Sequence, residues 1–260
     1  SIGRNILGDA KHLRKYRSED AINFVSRNYC TDQIVFFSLG NVDFKKIVKW
    51  SELYFGAIPE KRKTICREVP QECQPIYRTI KKRVSQSHTM MGAYAYGLHS
   101  DKRLPLYLLN NVLGGPGMNS KFNLALRERA GLVYSVESSL TSYSDCGLLS
   151  IYFGSDEKNR DYCQELIFKE LKKLREKSFT TLQLSRYVKQ LMGQLAIGQE
   201  NKESLVLSLA KSFLYFDRFE SLDDVEERLK AITPKELLEI ANEVLDESRF
   251  FVLNYSRQER

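Results

Sequence analysis

The stretch that decides the fold runs Leu113-Gly114-Gly115-Pro116-Gly117-Met118-Asn119-Ser120 and resumes at Leu126-Arg127-Glu128-Arg129-Ala130-Gly131-Leu132-Val133-Tyr134-Ser135-Val136. Apolar residues recur at helical spacing over residues 104–113, and the Gly-Gly-Pro-Gly run stops that helix. Residues 120–130 read as a second, short helix closed by Gly131. Residues 132–140 and 147–153 then read as a strand pair.

Upstream, residues 76–84 predict a strand, with Ile76, Ile80 and Val84 on one parity, and residues 90–98 predict a second. Downstream, residues 161–177 form an amphipathic helix with Cys163, Leu166, Ile167, Leu171 and Leu174 on one face. Residues 181–215 read as helix in two pieces, with Gly198 near the break, and residues 222–231 as another helix. Thr233-Pro234-Lys235-Glu236 supplies a cap, a Pro at the first helical position and a capping-box Glu. A last strand follows over residues 249–255. Strands with segregated long helices imply an α+β domain, a mixed or antiparallel sheet with helices packed on one face.

The N-terminal part is built differently. Ser18 reads as the cap of a helix carrying Ala21, Ile22, Phe24, Val25 and Tyr29. Residues 33–39 read as a buried strand, and residues 42–55 as a helix stopped by Gly56. Residues 59–75, turn-rich and bounded by basic clusters, read as a linker. The helix-then-strand order recurs at the same offset, Ser18 to Ile34 and Thr233 to Arg249, as in a duplicated domain whose first copy is cut short.

Composition narrows the function. Hydrophobic residues make up 42% and charged residues 28%, a globular balance. No run of ~18 apolar residues exists to span a membrane. The net charge of +7 is spread among interspersed acids, as in Lys169-Glu170-Leu171-Lys172, so no nucleic-acid partner is expected. The 5 Cys form no Cys-x-x-Cys, and free thiols point to a reducing, cytoplasmic setting. The 3 His begin no zinc motif, so no metal site is expected in this chain.

The chemistry rests on Arg127 and Tyr134. The first lies near the end of a short helix and the second just inside the next strand, so both side chains could reach one place. Two readings stand: a solvent Arg with a core Tyr, or two donors converging on a polarised carbonyl. The Gly-rich loop lacks the strand before it and the Gly-Lys-Ser/Thr of a phosphate cradle.

The block Leu126-Arg127-Glu128 … Gly131-Leu132-Val133-Tyr134-Ser135-Val136 resembles the Arg/Tyr signature of the insulinase-type, or M16, peptidases. Leu113-Gly114-Gly115 before it and Tyr143-x-Asp145-x-Gly147 after it match as well. Upstream, Ile2-Gly3-Arg4-Asn5-Ile6-Leu7-Gly8 and Gly40-Asn41-Val42-Asp43 resemble the end of that family's first domain. The resemblance implies two similar α+β domains facing a chamber. Zinc sits in the first, held by two His and one Glu of an inverted His-x-x-Glu-His site. The second supplies an Arg and a Tyr that grip substrate, roles that fall on Arg127 and Tyr134. It also implies a division of this chain: residues 1–60 as the tail of a first domain, 61–75 as linker and 76–260 as a complete second domain. Zinc would then belong to the full-length protein. The implied partners are a peptide or unfolded polypeptide substrate, the missing N-terminal domain and a second copy in a homodimer. The alternative is a non-catalytic M16-like subunit that binds peptides.

Overall fold

The computed structural model describes residues 5–62, 70–71 and 73–258. The chain falls into two compact units, residues 1–66 with 200–220, and residues 67–199 with 221–260.

The first unit holds α1 (Ala10–Leu13), α2 (Ser18–Asn28) and α3 (Phe44–Phe55). Arg17, not Ser18, is the N-cap of α2: its N–H donates to the Asp20 carboxylate at 2.9 Å, and Ser18 is the first helical residue. Asp43 caps α3 by accepting from Lys45 N at 2.7 Å. The strand expected at residues 33–39 is absent: a short 3-10 turn, Thr31–Gln33, leads into irregular chain with Ile34, Phe36 and Leu39 exposed. An apolar run becomes a strand only where another strand completes its ladder, and none of the described residues does so here. Thr31 instead clasps Lys61, with Thr31 N donating to Lys61 O at 2.9 Å and Lys61 N to Thr31 Oγ1 at 2.8 Å.

The helix α7 (Lys202–Phe216) groups with this unit, and its Phe213 stacks on Phe219 at 5.2 Å. The break expected near Gly198 falls between Gln199 and Lys202. Neither α2, α3 nor α7 buries a residue.

The second unit is the α+β domain. Its sheet joins β1 (Tyr77–Lys82), β2 (Ser87–Ala95), β3 (Val133–Ser142), β4 (Gly147–Ser155) and β5 (Phe251–Arg257) in the order β1-β5-β2-β4-β3. The β1–β5 pair is parallel and the rest are antiparallel, so the sheet is mixed. Period-2 alternation sends Met91, Ala93, Leu149, Ile151, Phe153, Val136 and Val252 to the inner face. Against them pack α4 (Arg103–Gly114), α5 (Arg160–Glu176), α6 (Thr181–Gln199), α8 (Leu222–Ala231) and α9 (Pro234–Val244). Full burial of a Leu, Ile or Phe side chain contributes ~1.5–3 kcal/mol before entropy is counted. This face therefore carries most of the fold's stabilisation.

The α5 face is the one expected, with Cys163, Ile167, Leu171 and Leu174 buried. The parity of β1 is not. Tyr77 pairs with Val252 and Thr79 with Asn254 on the inner side, so Ile80, paired with Tyr255, faces the other way. A polar network outweighs the apolar pattern there. Tyr77 Oη donates to Gln164 Oε1 at 3.0 Å, and Gln164 Nε2 to Asn254 Oδ1 at 3.2 Å. Asn254 Nδ2 closes the ring on Tyr77 Oη at 3.0 Å. Residues 63–69 and 72 of the expected linker lie outside the described residues, Cys66 among them.

Candidate functional site

The short helix expected at residues 120–130 is a π-helix over Asn123–Arg129 that carries Arg127. It buries Phe122, Ala125 and Leu126 in the core and leaves Arg127 in solvent. The wider π turn adds a residue to the coil and recurs at functional sites. Its end is set by Gly131, at φ +61°, a left-handed conformation that favours glycine. Two bonds close the turn: Gly131 N donates to Arg127 O at 3.0 Å and Leu132 N to Leu126 O at 2.9 Å.

Tyr134 lies two residues into β3, in a bulge. Val133 pairs with Ser155 and Val136 with Phe153, so Tyr134 and Ser135 together oppose Gly154 alone. A bulge of this kind bends the strand and re-aims a side chain. Tyr134 is 89% exposed, and the reading that makes it a core Tyr is excluded. Gly154 makes room on its side: a Cβ there would meet the Gln86 amide nitrogen at 2.7 Å.

Each residue singled out from the sequence thus sits on its own backbone irregularity, and the two irregularities flank one glycine turn. No hydrogen bond joins the two side chains among the described residues. Arg127 Nε lies 3.7 Å from Glu128 Oε1, an exposed pair that holds the guanidinium only weakly. Both donors are available to a ligand. Arg127 offers a fixed fork of N–H groups and Tyr134 one O–H, which suits an acceptor that gains negative charge.

The Gly-rich loop is held by amides. Asn119 Nδ2 donates to Gln190 Oε1 at 2.8 Å, and Asn111 Nδ2 to Gln194 Oε1 at 2.7 Å. It opens at the C-terminal end of α4, where the helix dipole repels a phosphate.

Zinc does not fit here. Among the described residues, no three His, Cys, Asp or Glu side chains gather to hold a metal ion. His12 is bonded to Asp9 and His88 to the Tyr152 hydroxyl at 2.7 Å. No helix among these residues is long and apolar enough to cross a membrane. The reading of the sequence weighed His88 only as a metal ligand and passed over Tyr152 and Glu137. Alternation alone puts each on one side of its strand, but only the pairing register makes them neighbours.

The chain is similar to known proteins over most of its length. The chain is 28% identical over 252 residues to an uncharacterized zinc protease of Streptomyces coelicolor, covering 94% of this chain and 55% of the relative. It is 29% identical over 247 residues to an uncharacterized zinc protease of Bacillus subtilis, covering 95% and 60%. The beta subunit of the mitochondrial-processing peptidase of Saccharomyces cerevisiae is 24% identical, with 93% and 55% covered. The chain therefore spans little more than half the length of these relatives. A solved peptidase M16 inactive domain from Pseudomonas fluorescens superposes with a TM-score of 0.85 at 18% identity, covering 97% of this chain and 60% of that one. A protease from Helicobacter pylori gives 0.83 at 15%, covering 96% and 62%. The resemblance read from the Arg/Tyr block is borne out: the family model described as the peptidase M16 inactive domain matches residues 15–191, and the chain belongs to the M16 peptidase family.

Proposed function

We propose that this chain is the substrate-gripping portion of a zinc-dependent endopeptidase. Its Arg127 and Tyr134 hold an extended peptide beside the scissile bond. One observation carries the reading: the π-helix and the β-bulge on either side of Gly131 each expose one of the two donors. Such irregularities cost stability, and they persist where a side chain must be aimed.

The chemistry follows from the donors. Arg127 and Tyr134 donate to a peptide carbonyl oxygen, and their bonds strengthen as that oxygen gains charge. The peptide lies extended, its backbone paired along a sheet edge. Zinc would be held by residues outside this chain, in a first domain whose tail is residues 1–60. The unburied faces of α2 and α3 support that division, since an amphipathic helix forms stably against a partner surface.

The test uses both lengths of protein. In the full-length protein, Arg127→Ala and Tyr134→Phe each lower kcat/KM by about 10²-fold, the usual cost of one lost oxyanion donor. The 260-residue chain alone should show no chelator-sensitive hydrolysis. Unchanged kinetics in both variants would sink the assigned roles. The second reading is a non-catalytic subunit that binds peptides, and the description of the matched domain as inactive favours it. A full-length protein that binds peptide through Arg127 and Tyr134 yet hydrolyses none would decide for it.

A further inference from the structure

We propose that Gln190 of α6 is a positioning residue for Arg127, holding the start of the helix that presents it. The proposal rests on the peptide-gripping reading and adds a residue that acts through Arg127.

Gln190 and Asn119 exchange two hydrogen bonds across 71 residues of chain: Asn119 Nδ2 donates to Gln190 Oε1 at 2.8 Å, and Gln190 Nε2 to Asn119 Oδ1 at 3.1 Å. Gly117 lies against this clasp. A Cβ there would meet Asn119 Oδ1 at 2.7 Å and Gln190 Nε2 at 2.8 Å, so the amides close over a residue that has no side chain. The chain then turns into the helix. Ser120 N donates to Gly117 O at 3.0 Å, and Ser120 O accepts from Leu124 N at 3.0 Å as the winding starts. Asn123 Nδ2 ties the first turn back to Ser120 Oγ at 2.9 Å.

Both ends of this helix are therefore fixed, the near end by the clasp and the far end by the Gly131 turn. Phe122 and Leu126, wholly buried, hold one side of it in the core. A segment held at both ends, with one residue more than α winding accommodates, takes up the surplus as a π turn, as Asn123–Arg129 does. Without the clasp, the backbone freedom of the glycines leaves the near end able to shift. The surplus residue can then pass into the loop and the helix rewind as α. One residue of winding turns a side chain by about 100°, which takes Arg127 out of its present direction. The effect of Gln190 thus reaches Arg127 through the helix start.

The test is a double-mutant cycle in the full-length protein, read as kcat/KM on one internally quenched peptide, or as affinity for that peptide if it is not cleaved. Gln190→Ala should lower the reading roughly tenfold, within the loss that a small misplacement of a gripping group causes. Gln190→Glu keeps the bond from Asn119 and loses the return bond, because a carboxylate only accepts, so its loss should be smaller. In an Arg127→Ala background, Gln190→Ala should change nothing further, because its route of action is gone. A merely structural role would lower both backgrounds alike. Circular dichroism checks folding, and Gly117→Ala, whose Cβ wedges the two amides apart, repeats the cycle should Gln190→Ala not fold. If the loss is equal in both backgrounds, or absent from both, the positioning role is overturned and peptide gripping stands. If Arg127→Ala itself has no effect, both readings fall.

Discussion

Asn254 Nδ2 donates to Tyr77 Oη at 3.0 Å across 177 residues of chain. That bond joins β5 to the edge strand β1 and closes a ring through Gln164 of α5. Thr89 Oγ1 adds a bond from β2 to Asn254 Oδ1 at 2.8 Å. Asn254 is wholly buried, so water cannot replace the bonds that its own amide makes.

Asn254→Ala should lower unfolding stability by about 2–4 kcal/mol, because it strands the buried Thr89 and Gln164 and removes a partner of Tyr77. Tyr77→Phe removes the hydroxyl alone and should cost about 1–2 kcal/mol. Urea unfolding of both variants checks the order. Equal and negligible losses would show that the ring contributes nothing.

Gly131→Ala should cost about 1–2 kcal/mol, since an alanine at φ +61° is strained although its Cβ meets no atom within 4 Å. Because this turn separates Arg127 from Tyr134, peptide affinity should fall as well. Thermal unfolding and peptide titration on one preparation measure the two effects. Gly193→Ala, an open helical position, is the control and should keep both properties.

Thiol labelling at neutral pH should modify Cys73 well before Cys163. Cys73 is exposed, whereas Cys163 is fully buried and its thiol is pushed up to about 11 by that burial. Thiolate, the reactive form, is therefore scarce at Cys163 until alkaline pH or unfolding. Mass spectrometry of alkylated peptides against time reads the order. Early labelling of Cys163 would contradict its burial.

Acid should destabilise the second unit through Asp246 and Glu243. Hydrogen bonds from Ser248 and the neighbouring Arg175 hold the Asp246 carboxyl below its ordinary range. A bond from Lys102 at 2.6 Å does the same for Glu243. A carboxyl depressed in the folded state adds stability above its unfolded pKa, and that stability is lost as pH falls through the folded value. Melting temperature should be flat from neutrality to about pH 5 and drop below it. Asp246→Asn should blunt the drop, and an unchanged slope would remove Asp246 from the account.

Much of the second unit is legible in local pattern. The boundaries of α5 and α8 and the pairing of β3 with β4 follow from periodicity, caps and turn residues close in the chain. Arg127 and Tyr134 are legible as a motif, but not their presentation. The π turn depends on how Phe122 and Leu126 seat in the core, and the bulge on how β3 meets β4. Residues 33–39 look like a strand because composition records apolarity without recording whether a ladder partner exists.

The sequence by itself determined the succession of elements in the second unit and the residue types that could grip a carbonyl. Only the tertiary structure decided the strand order, the inward parity of β1, the exposure of Tyr134 and the meeting of Glu137 with Tyr152. The physical reason is range. Helix periodicity and caps act over a few residues, whereas β1 finds β5 across most of the chain, and the polar ring at Asn254 outweighs the local pattern of Ile76, Ile80 and Val84.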